Sequence, residues 1–401
     1  MRGLKEIWIT MAAAALPSAA GAAPLAPADI NAIAALEQRL YALPRARPGT
    51  PPAPLAQRMG ESMVPGVSIA FIENGRVKWT RAYGSATAGS AQAVTPHTRF
   101  QAASMSKAVA AAAALRLVDQ KRLSLDEDVN TRLRGWRVPE ASSAGSEKVT
   151  LRRLLSHTAG LSVSGYPGYA AGTRVPTIVQ SLAGIAPANT PAVRAYGPPG
   201  AQIGYSGGGY SVAQLLMGEA AGSSFPTLMQ GLLLRPLGMT RSSFDQPLRN
   251  RKAVAGGHDA EGLPIAGGGN TYPELATAGL WTTPSDYARF VVALQESWVG
   301  RKGALLSRPS ATAMMTPVLG NYGLGVSVLE RGGRKIVTHG GSNEGFQCRF
   351  AAYLDGSRQG VVIMTNGNNG GFLAAAILRT LGEAYGWDDL SSPPTPRAPD
   401  S

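Results

Sequence analysis

Phe100-Gln101-Ala102-Ala103-Ser104-Met105-Ser106-Lys107, running on without a break into Ala108–Val118, is the stretch on which the reading of this chain turns. Beyond its first turn it is apolar on nearly every side, and a helix apolar all round is a buried one. A helix over Ser104–Val118 is therefore predicted inside the core. Residues i and i+3 share a helix face, so the Ser104 hydroxyl and the Lys107 amine can be neighbours. Burial strips a lysine of hydration and lowers its pKa. A neutral amine can then take the proton of a serine, which is otherwise a weak nucleophile. The helix N-terminus adds positive potential where an oxyanion would form. The pattern S-x-x-K alone is weak, since a chain this long holds about one by chance. Its position at the start of a buried helix is what gives it weight.

Strands are predicted on either side of that segment. Val67–Ile72 and Val77–Tyr83 flank Glu73-Asn74-Gly75, and Asn-Gly between two such runs signals a hairpin because both residues tolerate positive φ. Polar punctuation at 119–122 and 126–128 leads to a short helix at Leu151–Ser156. Residues 160–250 are rich in Gly, Pro and Ser, with helices predicted at Ser211–Ala221 and Phe225–Leu234, and read as an inserted, mostly helical region. Lys335–His339, Gln347–Leu354 and Val361–Thr365 then read as strands, with Asp355-Gly356 turning between the last two. A final helix is predicted over Phe372–Tyr385. The hairpin and the C-terminal meander would join one antiparallel sheet flanked by N- and C-terminal helices, an α+β fold.

The ends of the chain carry different signals. Arg2 and Lys5 precede a mostly apolar run from Ile7 to Leu16, and Ala20-Gly21-Ala22 has the small-x-small form of a cleavage site. Residues 1–22 thus read as a secretory signal peptide with cleavage near Ala22, placing the mature protein in the periplasm or outside the cell. A retained anchor is the alternative; no other stretch has the ~18 consecutive apolar residues of a membrane span. Residues 23–60 read as a short helix (Ile30, Ile33, Leu36, Leu40) and a proline-rich linker, residues 61–388 as the folded body, and 389–401 as a disordered tail.

Composition narrows the function. The 401 residues are 44% hydrophobic and carry a net charge of +13, yet the basic residues are scattered. Nucleic-acid binding would call for a basic stripe, so no nucleic-acid partner is expected. The single Cys348 excludes an intramolecular disulfide and reads as a small buried residue. The four histidines share no metal-ligand spacing, so no metal or other cofactor is predicted.

At the motif level the chain resembles the serine β-lactamase, penicillin-binding-protein and serine-esterase superfamily, in particular its class C and D-aminopeptidase-like branch. Phe100–Lys107 resembles the nucleophile segment, Leu154-Leu155-Ser156-His157-Thr158-Ala159-Gly160-Leu161 a structural signature, and Gly279–Asp286 another. His339-Gly340-Gly341 resembles the third catalytic box, and Pro65-Gly66-Val67-Ser68 fits the hairpin. The matches run in family order over roughly residues 60–385. The resemblance implies a β-lactamase/transpeptidase-like fold and the catalytic set Ser104, Lys107, Tyr205 and His339. It implies an oxyanion hole from the backbone N–H groups of Ser104 and Ser342. Gly340 and Gly341 would let substrate approach the strand backbone, with Ser206 also at the substrate site. Tyr205 would be a phenol that Lys107 holds partly ionised, acting as proton shuttle. Where the family usually has Tyr-x-Asn, this chain has Tyr205-Ser206-Gly207, which puts efficient β-lactam hydrolysis in doubt. His157 falls at a position the family uses structurally.

A rival motif overlaps the same place. Gly204-Tyr205-Ser206-Gly207-Gly208 satisfies the G-x-S-x-G nucleophile elbow, which would make Ser206 the nucleophile. The elbow must follow a buried strand, and Gly197–Ile203 is a poor one. The expected function is thus an exported serine hydrolase forming a Ser104 acyl-enzyme. Small or unusual peptides come first, with D-residues or from a linearised cyclic precursor. A carboxylesterase, and a β-lactamase or DD-carboxypeptidase, are alternatives. A non-catalytic envelope protein of the same fold is the alternative of another class. The expected partner is a peptide or other small molecule; the oligomeric state is open. Tyr166, Tyr169, Tyr196 and Tyr210 either line the cleft or pack loops.

Overall fold

The computed structural model describes residues 24–139 and 147–387. The signal-peptide and tail assignments lie outside the described residues. Two helices come first, α1 (Pro27–Gln38) and α2 (Leu55–Glu61). The hairpin follows as β1 (Gly66–Glu73) and β2 (Arg76–Gly84), turning through Asn74 and Gly75 at φ 52° and 69°. A short β3 (Phe100–Gln101) precedes a 3-10 turn (Ala103–Met105) and the core helix α3 (Ser106–Asp119). Then come α4 (Leu151–Leu155), α5 (Ile178–Ala183), α6 (Gly207–Ala221), α7 (Phe225–Met229) and α8 (Leu275–Ala278). After β4 (Trp281–Thr282) lie α9 (Pro284–Trp298) and α10 (Arg308–Met314). The chain closes with β5 (Ser327–Arg331), β6 (Arg334–Asn343), β7 (Phe346–Tyr353), β8 (Gly360–Thr365) and α11 (Gly370–Ala384).

The main sheet is antiparallel in the order β2-β1-β8-β7-β6-β5. Its central strands are buried on both faces, and the side-chain period of two divides them between two cores. Val67, Ile69 and Phe71 of β1 join Val361 and Ile363 of β8 in packing against α1 and α11. Ala70, Ile72, Val362 and Met364 face the larger core around α3 and α9. The alanines of α3 are all but inaccessible, so a helix of small side chains sits close to its neighbours from every side. This is the β-lactamase/transpeptidase-like α+β fold that the motifs implied.

Two expectations change. The expected helix is present as α1, but the proline-rich stretch after it is docked on the body rather than a free linker. Leu36, Leu40, Leu55 and Met59 are buried in the α1/α11 core, and Ala53 donates its N–H to the Leu40 carbonyl at 3.0 Å. The prolines end helices and bend the strap, but its leucines supply the apolar surface that draws it onto the sheet. Within 160–250, α5, α6 and α7 carry the helix, and glycine- and proline-rich irregular segments run between them.

Candidate active site

The nucleophile segment is held from both ends. β3 pairs with β4, so the Gly279–Asp286 motif is in effect the cross-strand clamp on Phe100 and Gln101. Ala102 N–H donates to Leu280 O at 2.8 Å, and Leu280 N–H donates back to Ser106 Oγ at 3.0 Å. Thr283 then caps α9 by accepting from Asp286 N–H at 3.1 Å, which fixes the motif's far end. Between these anchors Ala103 has φ 47°, a left-handed conformation that costs a non-glycine residue about 1 kcal/mol. The helix predicted from Ser104 instead starts at Ser106, and Ser104 stands on the tight turn ahead of it.

Lys107 is 1% exposed. Its Nζ donates to Ser104 Oγ at 3.0 Å and to Thr277 O at 3.0 Å. Burial lowers its pKa to about 7, so near neutral pH about half the amine is unprotonated. The Thr277 carbonyl, presented by α8, holds the amine's second proton and leaves its lone pair available to Ser104. Thr277 has no signature in a single sequence, because the contact is made by backbone.

Tyr205 stands beside this pair, its ring centroid 5.0 Å from Lys107 Nζ and its hydroxyl in hydrogen-bonding reach of Ser104. The ring is 41% exposed at the cleft mouth, while the crowding around its hydroxyl raises the phenol to about 12. The expectation of a partly ionised phenol is therefore corrected. Burial favours the neutral phenol, and Tyr205 is an acid with its proton on. His157 fixes the tyrosine in place. Its ring lies against the tyrosine ring at a 40° tilt with centroids 4.2 Å apart, and its Nδ1 accepts from Ser206 N–H at 3.1 Å.

Ser206 does not stand where the sequence reading put it. Its Oγ accepts from Gly209 N–H at 2.9 Å, capping α6, and donates to Ser162 O at 2.9 Å. The side chain is buried and fully used, so it neither contacts substrate nor serves as an elbow nucleophile. Replacing it by alanine is expected to lower stability by about 1 kcal/mol, read by denaturant unfolding, and to leave acylation at Ser104 intact. Gly207 explains the missing asparagine. A Cβ there would stand 3.0 Å from Thr277 Cγ2 and 3.2 Å from Ser164 O and Tyr166 Cε2. The Ser164–Tyr166 loop occupies the space an asparagine side chain would need.

β6 brings the third box alongside. β5 pairs with β6 only as far as Ser327–Thr338, so residues 339–343 of β6 present an unpaired edge. Their other edge is paired with β7. Gly341 lies against the nucleophile turn, since a Cβ there would stand 2.3 Å from Ala102 O and 3.1 Å from Ala103 Cβ. Gly340 differs, for a Cβ there would meet only Cys348 O at 3.8 Å, so only Gly341 is glycine by packing necessity. Ser342, next along the edge, is exposed, and its Oγ accepts from Gln347 Nε2 at 2.8 Å.

His339 is buried, and burial first, then Lys107, lowers its pKa to about 4. Nδ1 lies 2.5 Å from Gly340 O, and a carbonyl can only accept, so Nδ1 carries the proton. Nε2 then accepts from the Tyr322 hydroxyl at 2.9 Å. Both nitrogens are engaged within the protein and the ring is neutral. It supplies no positive charge to the cleft. Tyr322, buried and bonded to His339, was not singled out in the sequence, where it is one tyrosine in an irregular segment. Of the four tyrosines left open, Tyr166 lines a cavity of about 400 Å³ beyond Ser342, with Tyr272, Glu344 and Gln347. Tyr210 is core and donates to Leu155 O. Tyr169 is buried and accepts from Asn189 N–H, and Tyr196 is exposed beside Gly204.

Comparison with known proteins places the chain in a family. The profile of the Beta-lactamase family matches residues 54–384. The chain is 27% identical to penicillin-binding protein 4 of Amycolatopsis lactamdurans over 361 residues, covering 84% of this chain and 91% of that one. It is 27% identical over 241 residues to protein flp of Staphylococcus aureus, covering 59% of this chain and 45% of that one. The chain thus spans less than half the length of flp. Among solved structures, the octameric penicillin-binding protein homologue from Pyrococcus abyssi superposes with a TM-score of 0.69 at 25% identity, covering 83% of this chain and 76% of that one. Among the described residues no helix is long and apolar enough to cross a membrane.

Proposed function

Because the chain belongs to the beta-lactamase family of serine hydrolases, we propose that it cleaves small peptides through a Ser104 acyl-enzyme. The observation that carries the reading is the 3.0 Å contact between Ser104 Oγ and a Lys107 amine held at about 7. Ser104 Oγ attacks the scissile carbonyl carbon while Lys107 takes its proton. The oxyanion is received by the backbone N–H groups of Ser104 and Ser342. Tyr205 gives its proton to the departing amine and is reprotonated by the Lys107 ammonium. Water, deprotonated by the same pair, then attacks the ester and frees Ser104.

Three features favour a peptide. The unpaired 339–343 edge can add a substrate backbone as a further strand. Beyond Ser342, the cavity bearing Glu344 suits a substrate ammonium. The crowded glycine at 207, where the family usually has asparagine, speaks against a β-lactam. Peptides with D-residues or from an opened ring remain the preferred kind on the branch resemblance. An ester reading has its own support in exposed apolar side chains, Tyr196, Ile203 and Leu319, of which Ile203 is two residues from Tyr205. Export to the periplasm or beyond rests on residues 1–22.

Intact mass after incubation with a fluorophosphonate tests the nucleophile. The adduct is expected on wild type and on Ser206→Ala and absent from Ser104→Ala. An adduct lost only with Ser206→Ala overturns the assignment. A free-amine peptide and its N-acetylated form then separate peptide from ester readings, since ammonium recognition predicts cleavage of the first alone.

A further inference from the structure

The strap from Tyr41 to Pro52 roofs a cavity of about 720 Å³ on the sheet face opposite the nucleophile. Its walls carry four guanidinium groups, Arg47, Arg331, Arg349 and Arg379, and no lining residue is acidic. Its floor is apolar, made by Leu329, Ala351 and Leu378, and Leu43 of the strap faces the same cavity. The strap is fastened to α11 at its start. Tyr41 N–H donates to Thr380 Oγ1 at 3.1 Å, its hydroxyl donates to Glu383 at 2.5 Å, and Arg379 stacks on its ring at 4.0 Å.

Elsewhere several partly or fully buried arginines are neutralised. Arg58 pairs with Glu61, Arg334 with Asp355 and Arg358 with Glu296. Arg47, Arg349 and Arg379 have no ion pair among the described residues. Arg379 is half-buried, and Arg47, Arg331 and Arg349 are exposed where the cavity meets solvent. Several guanidinium groups around one cavity with no carboxylate in its lining set up a positive potential that attracts an anion. Guanidinium forks match phosphate and carboxylate oxygens, and the volume is that of an ordinary small-molecule site. We propose that this cavity binds an amphiphilic anion, its phosphate or carboxylate head among the arginines and its alkyl tail over the apolar floor.

The site is separate from the catalytic cleft but shares a strand with it. Thr338 lines the cavity and precedes His339, and Arg349 pairs across the sheet with Gly340. The head group has two sources, a membrane lipid or a free alkyl phosphate or fatty acid. The experiment uses the whole protein and an Arg47→Gln/Arg349→Gln variant. Titration calorimetry with octyl phosphate, inorganic phosphate and octyl glucoside reads the chemistry. Octyl phosphate is expected to bind at least about tenfold more tightly than either of the others, and the variant to lose at least about tenfold. Fluorophosphonate labelling of Ser104 in the variant confirms that it is folded. Co-sedimentation with phosphatidylglycerol vesicles, absent with phosphatidylcholine, assigns the lipid source; octyl phosphate binding without co-sedimentation assigns the free amphiphile. Equal binding of octyl glucoside, equal binding by the folded variant, or no binding of octyl phosphate or vesicles overturns the proposal.

Discussion

Lys107→Met is expected to lower kcat/KM by about a thousandfold while making the folded protein more stable at pH 7. Both effects come from one fact, that the amine is held at about 7 rather than at its ordinary 10.5 by burial. Catalysis needs the unprotonated amine, so wild-type kcat/KM rises with pH through about 7, and the variant lacks that limb. Folding feels the same shift with the opposite benefit. Between about 7 and 10.5 the unfolded chain binds a proton at this position that the folded chain does not. Stability therefore rises with pH across that window, and the cost of burying Lys107 is full below it. Methionine fills similar volume without a charge to desolvate, though it strands Ser104 Oγ and Thr277 O without their donor. A net gain of about 2 kcal/mol at pH 7 is expected, read by denaturant unfolding, and it should shrink towards pH 10. A variant that loses stability would mean that Lys107 is not buried at a cost, and the case for its lowered pKa would go with it.

What the sequence disclosed and what it hid divide along physical lines. Ser104, Lys107 and the buried helix were legible because spacing and all-round apolarity are local properties of one segment. The β1–β2 turn was legible because Asn74-Gly75 is a backbone signal. The partners that complete the site were not. Thr277 acts through its carbonyl, Leu280 through its N–H and Tyr322 through a bond to a residue on another strand, and none of these leaves a residue-type pattern. Ser206 misled for a related reason. It was placed at the substrate site beside Tyr205, whereas its hydroxyl caps α6 by accepting from Gly209 N–H, a bond to backbone that leaves no residue-type pattern. The strap at 41–52 was misread because prolines announce the absence of helix, while its docking depends on four leucine and methionine contacts scattered from Leu36 to Met59.

The sharpest structural prediction separates two adjacent glycines. Gly341→Ala is expected to reduce fluorophosphonate labelling and kcat by about a hundredfold, while Gly340→Ala changes either by less than about twofold. An added Cβ at Gly341 would stand 2.3 Å from Ala102 O and 2.5 Å from Cys348 Sγ. The first is backbone, pinned by the Leu280 hydrogen bond, and cannot swing aside. β6 must then move off the nucleophile turn, taking Ser342 N–H away from where the oxyanion develops. Overpacking of this kind also lowers stability by about 1–3 kcal/mol. At Gly340 the same Cβ meets nothing closer than 3.8 Å, on the side of the strand away from Ser104. Loss of labelling in the first variant and not the second would tie the reactivity of Ser104 to its contact with β6. Equal, small effects in both would mean that the strand is not part of the reacting site, and that the oxyanion is held elsewhere.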